Sequence, residues 1–220
     1  MKKIQFFIYL FSLSSFHYLF AQEELGTGLL FSQFEKGNVI MKTGEQLSGS
    51  FNYDMILGQM LFLDSDSTIM KIGNPLDVVV VKIGERRFLP ASSTGVFYEE
   101  IQAGEGSFFV QRTAFKMSEG KAAAYGGYSQ TQSSTSFGSW QSDGGSTAKL
   151  NSSDKFKMVT KSVYYLQSGN KYKKFYSAKT LGKLFKGHES EIETFSEKES
   201  INFSKTEDIA RIVEYGYSLK

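Results

Sequence analysis

The side chains able to do chemistry in this chain are carboxylates, two histidines and many lysines, and there is no cysteine among its 220 residues. Asp54, Asp64 and Asp66 stand at the ends of apolar runs, and Glu99 and Glu100 are adjacent within one. Two such groups could act as general acid and base if they stood roughly 5 to 10 Å apart across a scissile glycosidic bond. Neighbours on a strand project to opposite faces, so Glu99 and Glu100 cannot share one substrate. The aspartates have a simpler task, accepting the backbone N–H groups of turns. His17 lies in the first apolar segment and His188 stands alone beside Gly187 and Glu189, a context that suits an exposed loop or cap residue better than a catalytic base. No G-x-S-x-G elbow accompanies it. The run Asp64-Ser65-Asp66-Ser67-Thr68 begins like an oxygen-rich calcium loop, but the central glycine and distal glutamate are missing, and Ile72 and Gly73 stand near the place of that acid. Gly26-Thr27-Gly28 and Gly104-Glu105-Gly106 do not continue into a phosphate-binding pattern. With no thiol for a nucleophile, a zinc site or a lipid, the reading is no catalytic residue, no metal and no cofactor.

The elements that must position these groups are mainly strands. From Gly37 to Pro90, runs at Asn38–Lys42, Gln46–Asp54, Gln59–Leu63, Thr68–Ile72, Val78–Ile83 and Arg86–Leu89 alternate with Gly, Asn, Asp and Pro turns, the signature of an antiparallel meander. Val96–Gln102 and Ser107–Met117 form a further hairpin, whose second run is apolar on both faces and so belongs at the centre of a sheet. Lys155–Gln167 and Lys171–Tyr176 form another around Ser168-Gly169-Asn170. The period then changes to that of helices. Ser177 is a candidate N-cap ahead of Leu181, Leu184 and Phe185, with Gly187 as the stop; Ile192 and Phe195 mark a second helix. Ser204-Lys205-Thr206-Glu207 reads as a capping box for a helix over 205–217. The fold class expected is α+β: a mainly antiparallel β meander or roll with two or three C-terminal helices.

Residues 120–154 turn to Gly, Ser, Gln and Thr with scattered aromatics, a composition too poor in apolar area to offset an ordering cost of roughly 1–2 kcal/mol per residue. A flexible insertion is expected there. At the N-terminus, Met1-Lys2-Lys3, the apolar 4–13 and Leu19-Phe20-Ala21 read as a signal peptide cut after Ala21. This apolar stretch is short of the roughly 20 residues that a bilayer span needs, and no other is longer. The organisation expected is thus a leader at 1–21 and one β-rich domain at 22–220, with its helical tail over 177–219. Removing the leader takes away Lys2 and Lys3, the excess by which 25 Lys and Arg outnumber 23 Asp and Glu. A neutral chain gives no bulk reason to bind nucleic acid. Ten lysines from Lys149 to Lys186 face only Asp154 over that interval, and they are read as the solvated face of an edge hairpin, which deters edge-to-edge association.

The block from Gly37 to Glu45, Ser48-Gly49-Ser50-Phe51-Asn52-Tyr53-Asp54, Val81 to Phe88 and Phe97-Tyr98-Glu99 resembles a family of uncharacterised exported proteins of Bacteroidetes-type Gram-negative bacteria. No activity is assigned to that family, so the resemblance implies a periplasmic or secreted location and brings no functional residue with it. The function expected is a non-catalytic exported binding or structural module of the envelope or extracellular space, meeting an envelope or extracellular protein or glycan. Its ligand is expected at Tyr53, Phe97, Tyr98 and Trp140. The alternative is a carboxylate-dependent hydrolase acting on envelope glycans.

Overall fold

The computed structural model describes residues 28–91, 95–118, 121–122, 128–129 and 156–220. The expected leader, Trp140 and most of 120–154 lie outside the described residues. The strands are β1 (Glu35–Met41), β2 (Gln46–Asp54), β3 (Gln59–Leu63), β4 (Ile69–Lys71), β5 (Val78–Ile83), β6 (Arg86–Pro90), β7 (Phe97–Ala103), β8 (Gly106–Ser118), β9 (Lys121–Ala122), β10 (Tyr128–Ser129), β11 (Phe156–Ser168) and β12 (Lys171–Phe175). Among the described residues β9 and β10 pair with each other, inside the stretch expected to be structureless. The other ten form one antiparallel sheet in the order β12-β11-β8-β7-β6-β5-β1-β2-β3-β4, and three helices follow, so the mainly antiparallel α+β class is the one observed.

Strand bounds follow the turn chemistry closely. At Gly104 the two-residue connection of β7 to β8 needs φ near +59°, a left-handed value that glycine adopts without steric penalty. Asp64 closes the β3–β4 turn by accepting the N–H groups of Asp66 and Thr68, both at 2.9 Å. The order departs from a simple meander at one place, because β1 pairs with β2 on one side and β5 on the other. The chain therefore leaves β4 and returns across the sheet through the short helical turn Pro75–Asp77. The β1–β5 register slips between Ile40 and Met41, leaving Val79 unopposed and 46% exposed.

Alternation divides each strand between two faces. Val39, Phe51, Tyr53, Met60, Val81, Phe88 and Phe97 pack together inside the curl of the sheet. Two backbone bonds fasten that curl: Ala114 N–H donates to the Met55 carbonyl at 3.0 Å and Phe97 N–H to the Gly58 carbonyl at 2.9 Å. The lead-in arm lies over this core. Asn52, fully buried, accepts from the Phe31 N–H (3.1 Å) and donates to the Phe31 and Gln33 carbonyls (2.9 and 3.1 Å).

The helices α1 (Ala178–Gly182), α2 (Glu189–Lys198) and α3 (Thr206–Ser218) cover the same face at the other end of the sheet. Leu181, Phe185, Ile192, Ile209, Ile212 and Val213 meet Phe108, Val110, Tyr164 and Phe175 there. Ser177 caps α1 as expected, in a box with Thr180, but α1 ends at Gly182 and Leu184 and Phe185 follow in turns. The expected capping box at Ser204 does not form. Lys205 takes the cap position without a side-chain bond, because Asn202 accepts the Ser204 N–H and Asp208 accepts the Asn202 N–H. Among the described residues no helix is long and apolar enough to cross a membrane.

Candidate binding cleft

Four of the carboxylates that could have done acid–base work serve structure. Asp54 Oδ1 accepts the N–H groups of Ile56 and Leu57, and Asp64 holds its own turn. Glu99 and Glu100 project to opposite faces of β7 as alternation requires, Glu100 pairing with Arg87 at 2.6 Å on the outer face. On the inner face, Glu99 lies between two guanidinium groups, its Oε1 accepting from Arg86 Nε at 2.6 Å and its Oε2 from Arg112 Nε at 2.7 Å. Burial pushes the Glu99 carboxyl pKa up, but the hydrogen bonds and charges of the two arginines outweigh it and hold the group below the ordinary carboxylate value. His188 is the N-cap residue of α2, within 3.4 Å of Glu191, in keeping with its reading as a cap. Among the described residues no cluster of three or more His, Asp or Glu side chains could hold a metal ion.

The expected ligand-contacting aromatics separate. Tyr53 and Phe97, 1% and 0% exposed, are packed in the inner core, and the Tyr53 hydroxyl donates to the Phe97 carbonyl at 2.9 Å. That burial puts both rings out of reach of a surface ligand. Tyr98 projects to the outer face, where it stacks on Tyr165 with centroids 4.7 Å apart and meets Tyr172 edge-on at 5.0 Å; Phe109 meets Tyr172 at 4.8 Å. Rings packed on one another in this way form a small outer core of cross-strand pairs. Trp140 lies outside the described residues.

What the described structure leaves open is a cleft of about 980 Å³ beside β11. β11 has 13 residues, of which β12 pairs with only Tyr164–Ser168; the chain then turns away through Tyr176, whose N–H bonds Thr180. Along Phe156–Val163 the strand is paired on the β8 side alone among the described residues. The direction of its backbone groups follows from β8. Ala114 stands opposite Thr160, and its N–H is directed away from β11 to the Met55 carbonyl. That makes Ala114 and Thr160 a non-hydrogen-bonded pair, so the N–H and C=O of Thr160 point outward, toward the cleft. The period of two gives Met158 and Ser162 the same direction.

Among the described residues, cations line this cleft and carboxylates do not. Arg112 is held by three bonds, since besides Glu99 its Nη1 donates to Ser162 Oγ (2.9 Å) and Thr206 Oγ1 (3.0 Å). Arg86 lies over the rings of Phe31 and Phe88, 5.1 and 5.5 Å from their centroids. Among the described residues neither Nη of Arg86 nor Nη2 of Arg112 has a hydrogen-bond partner, and no buried side-chain nitrogen or oxygen goes without one. These N–H groups therefore meet solvent. Lys161 and Lys174, both exposed, add two more charges, while Phe115, Phe203 and Tyr176 supply apolar wall. Such a pre-positioned set of donors, with apolar surface beside it, suits an anionic partner. The sequence signal for this site is the mismatch between a thirteen-residue run and the six-residue run after it, together with arginines at 86 and 112 that fall on the inner face. Comparison of the chain with protein-family models, with characterised proteins and with solved structures returns no match in any of the three.

Proposed function

We propose that the protein is a non-catalytic binding module exported to the cell envelope or extracellular space, with the cleft beside β11 as its binding site. The observation that carries this reading is the pairing of an open, cation-lined cleft with carboxylates bound into structural contacts. A Glu99 held as an anion by two arginines has no proton to donate, and its lone pairs already face donors, so it is ill suited to be a general acid. The leader-like residues 1–21 and the resemblance to exported proteins support export.

The test is affinity capture from the envelope fraction of the native host, comparing the protein with an Arg86→Ala, Lys161→Ala and Lys174→Ala triple variant. A partner retained by the first and released by the second is the expected result. Recovery of no partner, together with turnover of an envelope-glycan panel, overturns the module in favour of the hydrolase.

A further inference from the structure

We propose that the occupant of the cleft is an extended acidic segment of a partner protein, added to the free edge of β11 as a further strand. This rests on reading the cleft as the binding site. An exposed strand edge is a template for another chain, and sheets usually guard their edges. Here β4, at one end, is three residues long, and β12, at the other, carries exposed Lys171, Lys173 and Lys174 over five residues. The Phe156–Val163 edge is longer than either and opens onto a cleft. Met158, Thr160 and Ser162 present three N–H and three C=O groups at the two-residue spacing a ladder needs.

Charge selects the partner. An incoming strand places alternate side chains on the two faces. Those on the inner face come beside Ser162, where Arg112 already reaches and where both Nη groups of Arg86 and Nη2 of Arg112 look out. Those on the outer face come beside Lys161 and Lys174. Glutamates or aspartates fit both rows, whereas a second copy of this edge would set Lys157 and Lys161 against like charges. About six to eight residues span the open length.

The probes are an alternating glutamate–valine octapeptide, its lysine–valine counterpart, the glutamate–valine peptide N-methylated at alternate residues, free glutamate and inorganic phosphate. Each is titrated against the protein, with amide hydrogen exchange read at Met158, Thr160 and Ser162. The expected result is binding of the glutamate–valine peptide, weakened by salt, with slowed exchange at those three amides. The lysine peptide does not bind, and N-methylation weakens binding at least tenfold. Thr160→Pro removes one outward donor and no bond to β8, so it lowers affinity roughly two- to tenfold and leaves the far-UV spectrum unchanged. If that variant unfolds, the N-methylated peptide on the unaltered protein decides the question alone. Failure of the acidic peptide to bind, equal binding of the N-methylated peptide, or glutamate or phosphate matching the peptide's affinity overturns strand addition. So does protection of the three amides in the free protein, which would place the chain's own residues on the edge. A partner captured from the envelope when the peptide fails leaves the module standing and removes only this mode of binding.

Discussion

Replacing Glu99 by glutamine keeps the shape of the side chain and removes the charge between two guanidinium groups. The carboxylate side chain is 7% exposed, and its partners Arg86 and Arg112 are 33% and 20% exposed. A hydrogen bond to a charged group contributes roughly 1.5–3 kcal/mol, so the two at 2.6 and 2.7 Å set an upper range of about 3–6 kcal/mol. Solvent access to Arg86 screens one of them, and the amide oxygen of glutamine retains part of one bond, which brings the expected loss to about 3 kcal/mol. For a chain of this length that is a fall in Tm of about 6–12 °C. Urea unfolding followed by far-UV circular dichroism measures it at pH 7 and again across the acid range. The folded carboxyl has the lower pKa, so its contribution is present above the unfolded value near 4.3 and is lost as pH falls through the folded value. The two proteins should therefore differ fully above about pH 5 and draw progressively together as pH falls below the unfolded value. A loss under about 1 kcal/mol at pH 7, or a gap that does not narrow as the acid range is entered, refutes the view that this ion triad is an anchored charge centre.

Three other perturbations follow from the packing. Asn52→Ala deletes the three bonds that hold the lead-in arm, and should cost about 3 kcal/mol and open residues 28–34 to proteolysis, read by limited digestion. Gly106→Ala places a methyl group into the Tyr217 ring, whose hydroxyl donates to the Ser107 carbonyl, and should cost about 1–3 kcal/mol in urea melts by lifting α3 from the β7–β8 turn. Burial, with Tyr98 beside it, pushes the Tyr165 hydroxyl up to about 12, so ultraviolet titration should show a tyrosine that ionises well after the exposed ones. The unfolded chain loses its tyrosine protons first, near pH 10, and stability should fall above that pH.

Much of the fold is legible in the sequence because strand ends here are written in local chemistry. Asp64, Gly104 and Gly169 each do a job that only the nearest residues decide, and the strands they separate begin and end within a residue or three of the expected runs. Strand order was not legible in the same way. The insertion of β1 between β2 and β5 depends on which apolar faces match across 40 residues, and no short pattern encodes it. Aromatic positions are hard to read for a related reason: Tyr53 and Phe97 look like surface residues until the curl of the sheet closes over them, and Tyr98, one place along, reaches the outer face. The cation cleft was hidden because it arises where an element stops. Arg86 and Arg112 are far apart in the chain and converge through Glu99, whose carboxylate matters through these partners.

The two bonds that draw the β2–β3 turn against β7 and β8 bear on how the molecule assembles. Met55 meets Ala114 and Gly58 meets Phe97, so this seam forms only after chain segments distant in sequence have found one another. Contacts of such span slow the search through loop-closure entropy, and proteins rich in them refold in milliseconds to seconds. The helical end waits on longer spans still, since Arg112 must find Thr206 and Ser107 must find Tyr217, so neither end of the sheet can close from local contacts alone.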